Sequence, residues 1–104
     1  MKRRILTVLA AGAITALALP APAQAATTIT YGPLSIGGYC AAQVNSTAWI
    51  GFYESTGLHC YATGPNGLRN VGSGNPLAAC DHLSIATITS ASRGPSDSLV
   101  CTGP

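Results

Sequence analysis

Residues 48–63 read AWIGFYESTGLHCYAT, two runs rich in aromatic and apolar residues on either side of Ser55-Thr56-Gly57. Such runs around a short gap that holds a glycine predict a β-hairpin, with strands over 48–54 and 58–63. Successive side chains of a strand point to opposite faces. Leu58, Cys60 and Ala62 therefore share one side of the second strand, and His59, Tyr61 and Thr63 share the other. The apolar set with its cysteine faces the core, which sends His59 outward. In the first strand Trp49, Gly51 and Tyr53 alternate with Ile50 and Phe52, so that one set can fill the core while the other is displayed.

Outward from the hairpin, Thr63-Gly64-Pro65-Asn66-Gly67 carries the strongest turn signal in the chain, because proline presets the first turn position and Asn-Gly accepts the positive φ that follows. A brief strand over 68–71 and a flexible Gly72-Ser73-Gly74 connection are expected next. Asn75 then offers an N-cap, Pro76 suits the first helical position, and Leu77, Cys80 and Leu83 recur at helical spacing, predicting a short helix over 76–83. Residues 84–89 (SIATIT) alternate like a strand, Arg93-Gly94-Pro95 reads as a turn, and 98–102 (SLVCT) as a closing strand. On the other side, 26–31 (ATTITY) predicts a first strand ended by Gly32-Pro33, and Gly37-Gly38 a bend before Cys40. The expected fold is mostly β: a small disulfide-stapled single domain, a sandwich or twisted antiparallel sheet, with one short helix.

The start of the chain has the form of an export leader: a basic Lys2-Arg3-Arg4, an apolar stretch over 5–19 and a small-residue Ala23-Gln24-Ala25 site. Residues 1–25 are thus expected to be removed, leaving 26–104 as one secreted domain. Cys40, Cys60, Cys80 and Cys101 fall within it, an even count in a short exported chain, and this predicts two disulfides. Three pairings are possible; the sequential one, Cys40 with Cys60 and Cys80 with Cys101, closes the loops of least entropic cost. In the chain-entropy picture each such loop contributes about 3 kcal/mol.

Three of the basic residues leave with the leader. Residues 26–104 keep Arg69 and Arg93 against Glu54, Asp81 and Asp97, a net charge of −1 with no lysine. Clustered cations facing phosphates are therefore missing, and no nucleic-acid partner is expected. No apolar stretch long enough to span a bilayer follows the leader, so the mature chain is expected outside the cell, free or wall-associated. Asn45-Ser46-Thr47 has the form of a glycosylation sequon, which a bacterial-looking leader makes irrelevant.

His59-Cys60 and Cys80-Asp81-His82 contain metal-ligand types, but their spacing matches no usual clip, and disulfides are the simpler use of the cysteines. No metal and no cofactor are expected. No nucleophile motif is present. Glu54, Arg69 and His82 occur in the chain order of the base, phosphate clamp and acid of small secreted bacterial ribonucleases, a resemblance in order alone, without the aromatic-rich strands or extra arginines of that family. Trp49 between Cys40 and Cys60 resembles the tryptophan-centred loop of the small secreted α-amylase inhibitors, two-disulfide β-proteins, although Trp49-Ile50-Gly51 stands where that family has Trp-Arg-Tyr.

These readings lead to a secreted, non-catalytic binding or inhibitor-like module. It would display an aromatic strand, with Trp49, Tyr53 and Tyr61 as candidate contacts, to an extracellular protein or carbohydrate. A self-assembling protein of the cell surface is the alternative, and a small secreted hydrolase such as a ribonuclease a further one.

Overall fold

The computed structural model describes residues 26–104; the expected leader over 1–25 lies outside the described residues. In chain order the elements are β1 (Thr27–Tyr31), α1 (Pro33–Gln43), β2 (Ile50–Glu54), β3 (Gly57–Gly64), β4 (Gly67–Gly74), α2 (Pro76–Leu83), β5 (Ser90–Arg93) and β6 (Leu99–Gly103), with a 3₁₀ turn at Pro95–Asp97. They form two antiparallel three-stranded sheets, ordered β1-β6-β5 and β2-β3-β4.

Two hairpins build the second sheet, and both turn by the same device. Glu54 pairs with Gly57 across Ser55-Thr56, and Gly64 pairs with Gly67 across Pro65-Asn66. In each case the residue that opens the next strand is a glycine at positive φ, +133° for Gly57 and +111° for Gly67. A side chain would be strained there. Strand β4 is longer than the brief strand expected: it runs on through Gly72-Ser73-Gly74, with a register shift opposite Cys60 and Tyr61 that absorbs one extra residue.

Helix α2 covers the expected 76–83, with Pro76 in its first turn and the Asn75 side chain accepting from the Ala78 N–H at 2.9 Å. A second helix stands where the sequence predicts only a bend. Helix α1 starts from Gly32 with Pro33 in its first turn and carries Gly37-Gly38 in its interior. Its buried side is Ile36, Gly37, Tyr39 and Cys40, a helical stripe, and it lies close against β2. The expected strand over 84–89 is likewise corrected. Those residues form no strand, Ile85 is fully exposed while Ile88 is buried, and the pairing with β6 begins only at Ser90.

Both disulfides have the sequential pairing, Cys40 to Cys60 and Cys80 to Cys101. Cys40 lies on α1 and Cys60 on β3, the middle strand of its sheet; Cys80 lies on α2 and Cys101 on β6, the middle strand of the other. Each sheet is thus stapled through its centre to one helix, and the helices pack on each other. There Tyr39 meets His82 edge to face at 6.1 Å, and its hydroxyl accepts from the Asn75 N–H at 3.0 Å. The four cysteines, Ile36, Leu58 and Leu99 are fully buried and form one continuous core with Tyr39, Ala48, Ala79 and Ile88.

Candidate binding face

Leu58, Cys60 and Ala62 are buried, which leaves His59, Tyr61 and Thr63 on the outer side of the sheet. Residues opposite one another across an antiparallel pair share a face. The register pairs Ile50 with Tyr61 and Phe52 with His59 on one flank, and Asn70 with Tyr61, Ser73 with His59 and Leu68 with Thr63 on the other. Phe52 and Tyr61 meet edge to face, ring centres 5.7 Å apart and planes at 71°, a geometry that places a ring's positive edge on its neighbour's negative face.

Polar side chains hold the aromatic pair in place. The Tyr61 hydroxyl donates to Glu54 Oε2 at 2.6 Å. That bond to the carboxylate, with burial and the carboxylate's charge adding to it, raises the Tyr61 phenol above its ordinary value. The Trp49 indole N–H donates to Thr63 Oγ1 at 3.0 Å, which leaves the ring half exposed at the end of the strand. Across β2, β3 and β4, then, Phe52, Tyr61, Trp49 and the exposed Leu68 line an open surface. No pocket indents the described residues.

Of the three expected contacts, the structure sets Tyr61 on this face and Trp49 at its border. Tyr53 points the other way, with Gly51, and packs against the core. Phe52 takes the place expected for Tyr53. Alternation alone leaves both assignments open, and the deciding residue is Gly51: without a side chain it can lie under α1, where a β-carbon would stand 2.5 Å from Ile36 and 2.9 Å from Cys40 Sγ.

His59 faces outward, as its place in the alternation implies, and it is bonded on both ring nitrogens: Nε2 to Thr56 Oγ1 at 2.8 Å and Nδ1 to Ser73 Oγ at 3.0 Å. Two hydroxyls can each donate or accept, so neither fixes the tautomer as a carboxylate would. The ribonuclease-like residues are dispersed. Glu54 is engaged by Tyr61 on β2, Arg69 is exposed on β4, and His82 sits at the end of α2 with Tyr39 and Gln43. No hydrogen bond or ion pair links the three. Cys60 and Cys80 are tied up as disulfides, and no cluster of three or more His, Cys, Asp or Glu with metal-binding geometry occurs among the described residues. Asn45, the sequon residue, fastens the loop after α1 to β4. Its Oδ1 accepts from both the N–H and the hydroxyl of Thr47, and its Nδ2 donates to the Val71 carbonyl.

Comparison with known protein families, curated proteins and solved structures finds no match for this chain.

Proposed function

We propose that the protein is a secreted binding module whose recognition surface is the outer face of β2, β3 and β4, and that its partner is an extracellular protein. The carrying observation is the Phe52–Tyr61 pair, held rigid by Glu54 on a face that has no core to fill. Aromatic side chains bury much area at little entropic cost, which is why they dominate interface hot spots. Rigidity adds to this: Cys60, between His59 and Tyr61, is anchored to α1, so the displayed strand loses little freedom on binding. An open face suits a macromolecular partner, since small ligands prefer concave sites. Buried disulfides agree with a life in an oxidising compartment, and secretion as residues 26–104 belongs to the same reading.

Partners captured from culture medium on the immobilised protein provide the test. Phe52→Ala and Tyr61→Ala should each weaken capture by about 30-fold, the equivalent of roughly 2 kcal/mol at a hot spot. Trp49→Ala should weaken it less, and Tyr53→Ala should lower stability and leave the affinity of the folded protein intact. Binding that survives both Phe52→Ala and Tyr61→Ala rules the face out. Degradation of RNA by the purified protein, lost in Glu54→Gln or His82→Ala, would replace the binding reading with a catalytic one.

A further inference from the structure

Four strands border the two sheets, and three of them carry something that obstructs pairing with another chain. On β2, the Tyr53 carbonyl already accepts from Arg93 Nε at 2.9 Å. Strand β4 is interrupted by its register shift and bears the charged Arg69. Strand β5 is four residues long and runs from Arg93 into Gly94-Pro95. Strand β1 has no such device. It reads TTITY, β-branched or aromatic throughout, with no charge, proline or bulge, and among the described residues its sole strand neighbour is β6.

The hydrogen-bond parity of that open edge can be worked out. The Thr102 carbonyl accepts from the Thr89 N–H, on the β5 side of β6. Alternation then turns the backbone groups of Leu99, Cys101 and Gly103 toward β1, where they face Tyr31, Ile29 and Thr27. The N–H and C=O groups of Thr28 and Thr30 therefore point to the open edge.

We propose that β1 pairs antiparallel with β1 of a second copy of this chain, about a twofold axis through Ile29, merging two three-stranded sheets into one of six strands. In that register Thr28 lies opposite Thr30 of the other copy on both sides of the axis, and each pair exchanges both backbone hydrogen bonds. The exposed face then carries two Thr–Thr cross-strand pairs, and the half-buried face sets Ile29 against Ile29 and Thr27 against Tyr31. The strand is complementary to itself, as an isologous interface requires. With no charge on β1 and a net charge of −1 over residues 26–104, little electrostatic repulsion opposes it. This contact does not involve the aromatic face, so the two surfaces can be tested separately.

Sedimentation equilibrium of the native protein from about 1 µM to about 1 mM should show a monomer–dimer equilibrium with its midpoint in that range. Joint replacement Thr28→Lys with Thr30→Lys places like charges opposite one another and should weaken dimerisation at least tenfold. Mixing that variant with one carrying Thr28→Glu and Thr30→Glu should restore a heterodimer. Thr30→Pro, which removes an edge N–H that the fold does not use, is a second disrupting variant. A protein that stays monomeric across the range overturns the proposal. So does association by the lysine variant as tight as the original, or growth beyond a dimer that this variant does not stop.

Discussion

Gly37 of α1 lies directly on the backbone of Trp49: a β-carbon at position 37 would overlap the Trp49 carbonyl oxygen, while one at Gly38 would meet nothing within 4 Å. Two adjacent glycines in one helix therefore do opposite things. Replacing either with alanine gains about 1 kcal/mol of helix propensity. At position 37 the overlap is with main chain, which cannot rotate aside, and the helix must lift from β2. We expect Gly37→Ala to be destabilising by about 1–3 kcal/mol and Gly38→Ala to be stabilising by about 0.5–1 kcal/mol. Urea unfolding of the two variants checks this, and equal effects at both positions would refute the close approach of helix and strand.

The same pair explains which parts of the fold are legible in the sequence. Where a local rule and the tertiary packing agree, the sequence suffices: the alternation of β3, the glycines after both hairpin turns, and Asn75-Pro76 at the start of α2 all have local causes. Helix α1 is hidden because its glycines serve packing, and glycine read locally lowers helix propensity. The stripe Ile36, Tyr39 and Cys40 is present, but Gly-Gly outweighs it in a local reading. Residues 84–89 mislead in the other direction, since their alternation looks like a strand but finds no partner. Strand β5 (SASR) has no apolar pattern and exists through its bonds to β6. On the outer face of β2, β3 and β4, alternation separates Phe52 from Tyr53 correctly but groups Trp49 with Tyr53, whereas Trp49 precedes β2 and its indole turns to Thr63. Which of Phe52 and Tyr53 faces out depends on Gly51 under α1, a tertiary fact.

The two disulfides hold equivalent places, each joining a helix to the middle strand of one sheet. Their loops are of nearly equal length, 20 and 21 residues. Removing either through paired alanine substitutions, Cys40→Ala with Cys60→Ala or Cys80→Ala with Cys101→Ala, should cost about 2–5 kcal/mol. A small domain holds about 5–15 kcal/mol in all, so removal of both should leave it unfolded. Thermal melts of the three proteins test the ranking. A double-disulfide knockout that melts within a few degrees of the parent would show that packing alone suffices.

Tyr61 and Glu54 link the outer face of β2, β3 and β4 to pH. The phenol is raised above 10.0, chiefly because it donates a hydrogen bond to the Glu54 carboxylate. A raised value in the folded state means that the fold favours the protonated phenol. Its stabilising contribution is fully present below the unfolded tyrosine value and is lost as pH rises through the higher folded one. Stability should therefore fall on the alkaline side of about pH 10. Glu54→Gln should lower the Tyr61 titration midpoint toward the ordinary value and reduce that alkaline loss. Ultraviolet titration of tyrosinate, with Tyr61→Phe to identify the signal, would contradict the assignment if Glu54→Gln left the midpoint in place.

Arg93 reaches from one sheet to the other. From β5 its Nε donates to the Tyr53 carbonyl of β2 at 2.9 Å, and its Nη2 pairs with Asp97 at 2.8 Å. Asp97 and its neighbour Ser96 hold positive φ, 58° and 56°, a conformation that aspartate tolerates better than most residues. Both partners of the ion pair are more than a third exposed, so solvent screens it and its value is at most about 1 kcal/mol. The bond to a neutral carbonyl is less sensitive to salt and adds about 1 kcal/mol. We expect Arg93→Ala to cost about 1–2 kcal/mol in dilute buffer and to keep more than half of that penalty at about 1 M salt. Asp97→Asn, which leaves the turn and the carbonyl bond intact, should cost less than about 1 kcal/mol and become nearly neutral at high salt. Arg93→Lys should recover only part of the loss, because one ammonium group cannot reproduce the planar fork that serves both acceptors. Denaturant midpoints for the three variants at both salt levels decide between the two bonds. If Arg93→Ala costs no more than Asp97→Asn in either condition, the contact with Tyr53 contributes nothing to holding the sheets together.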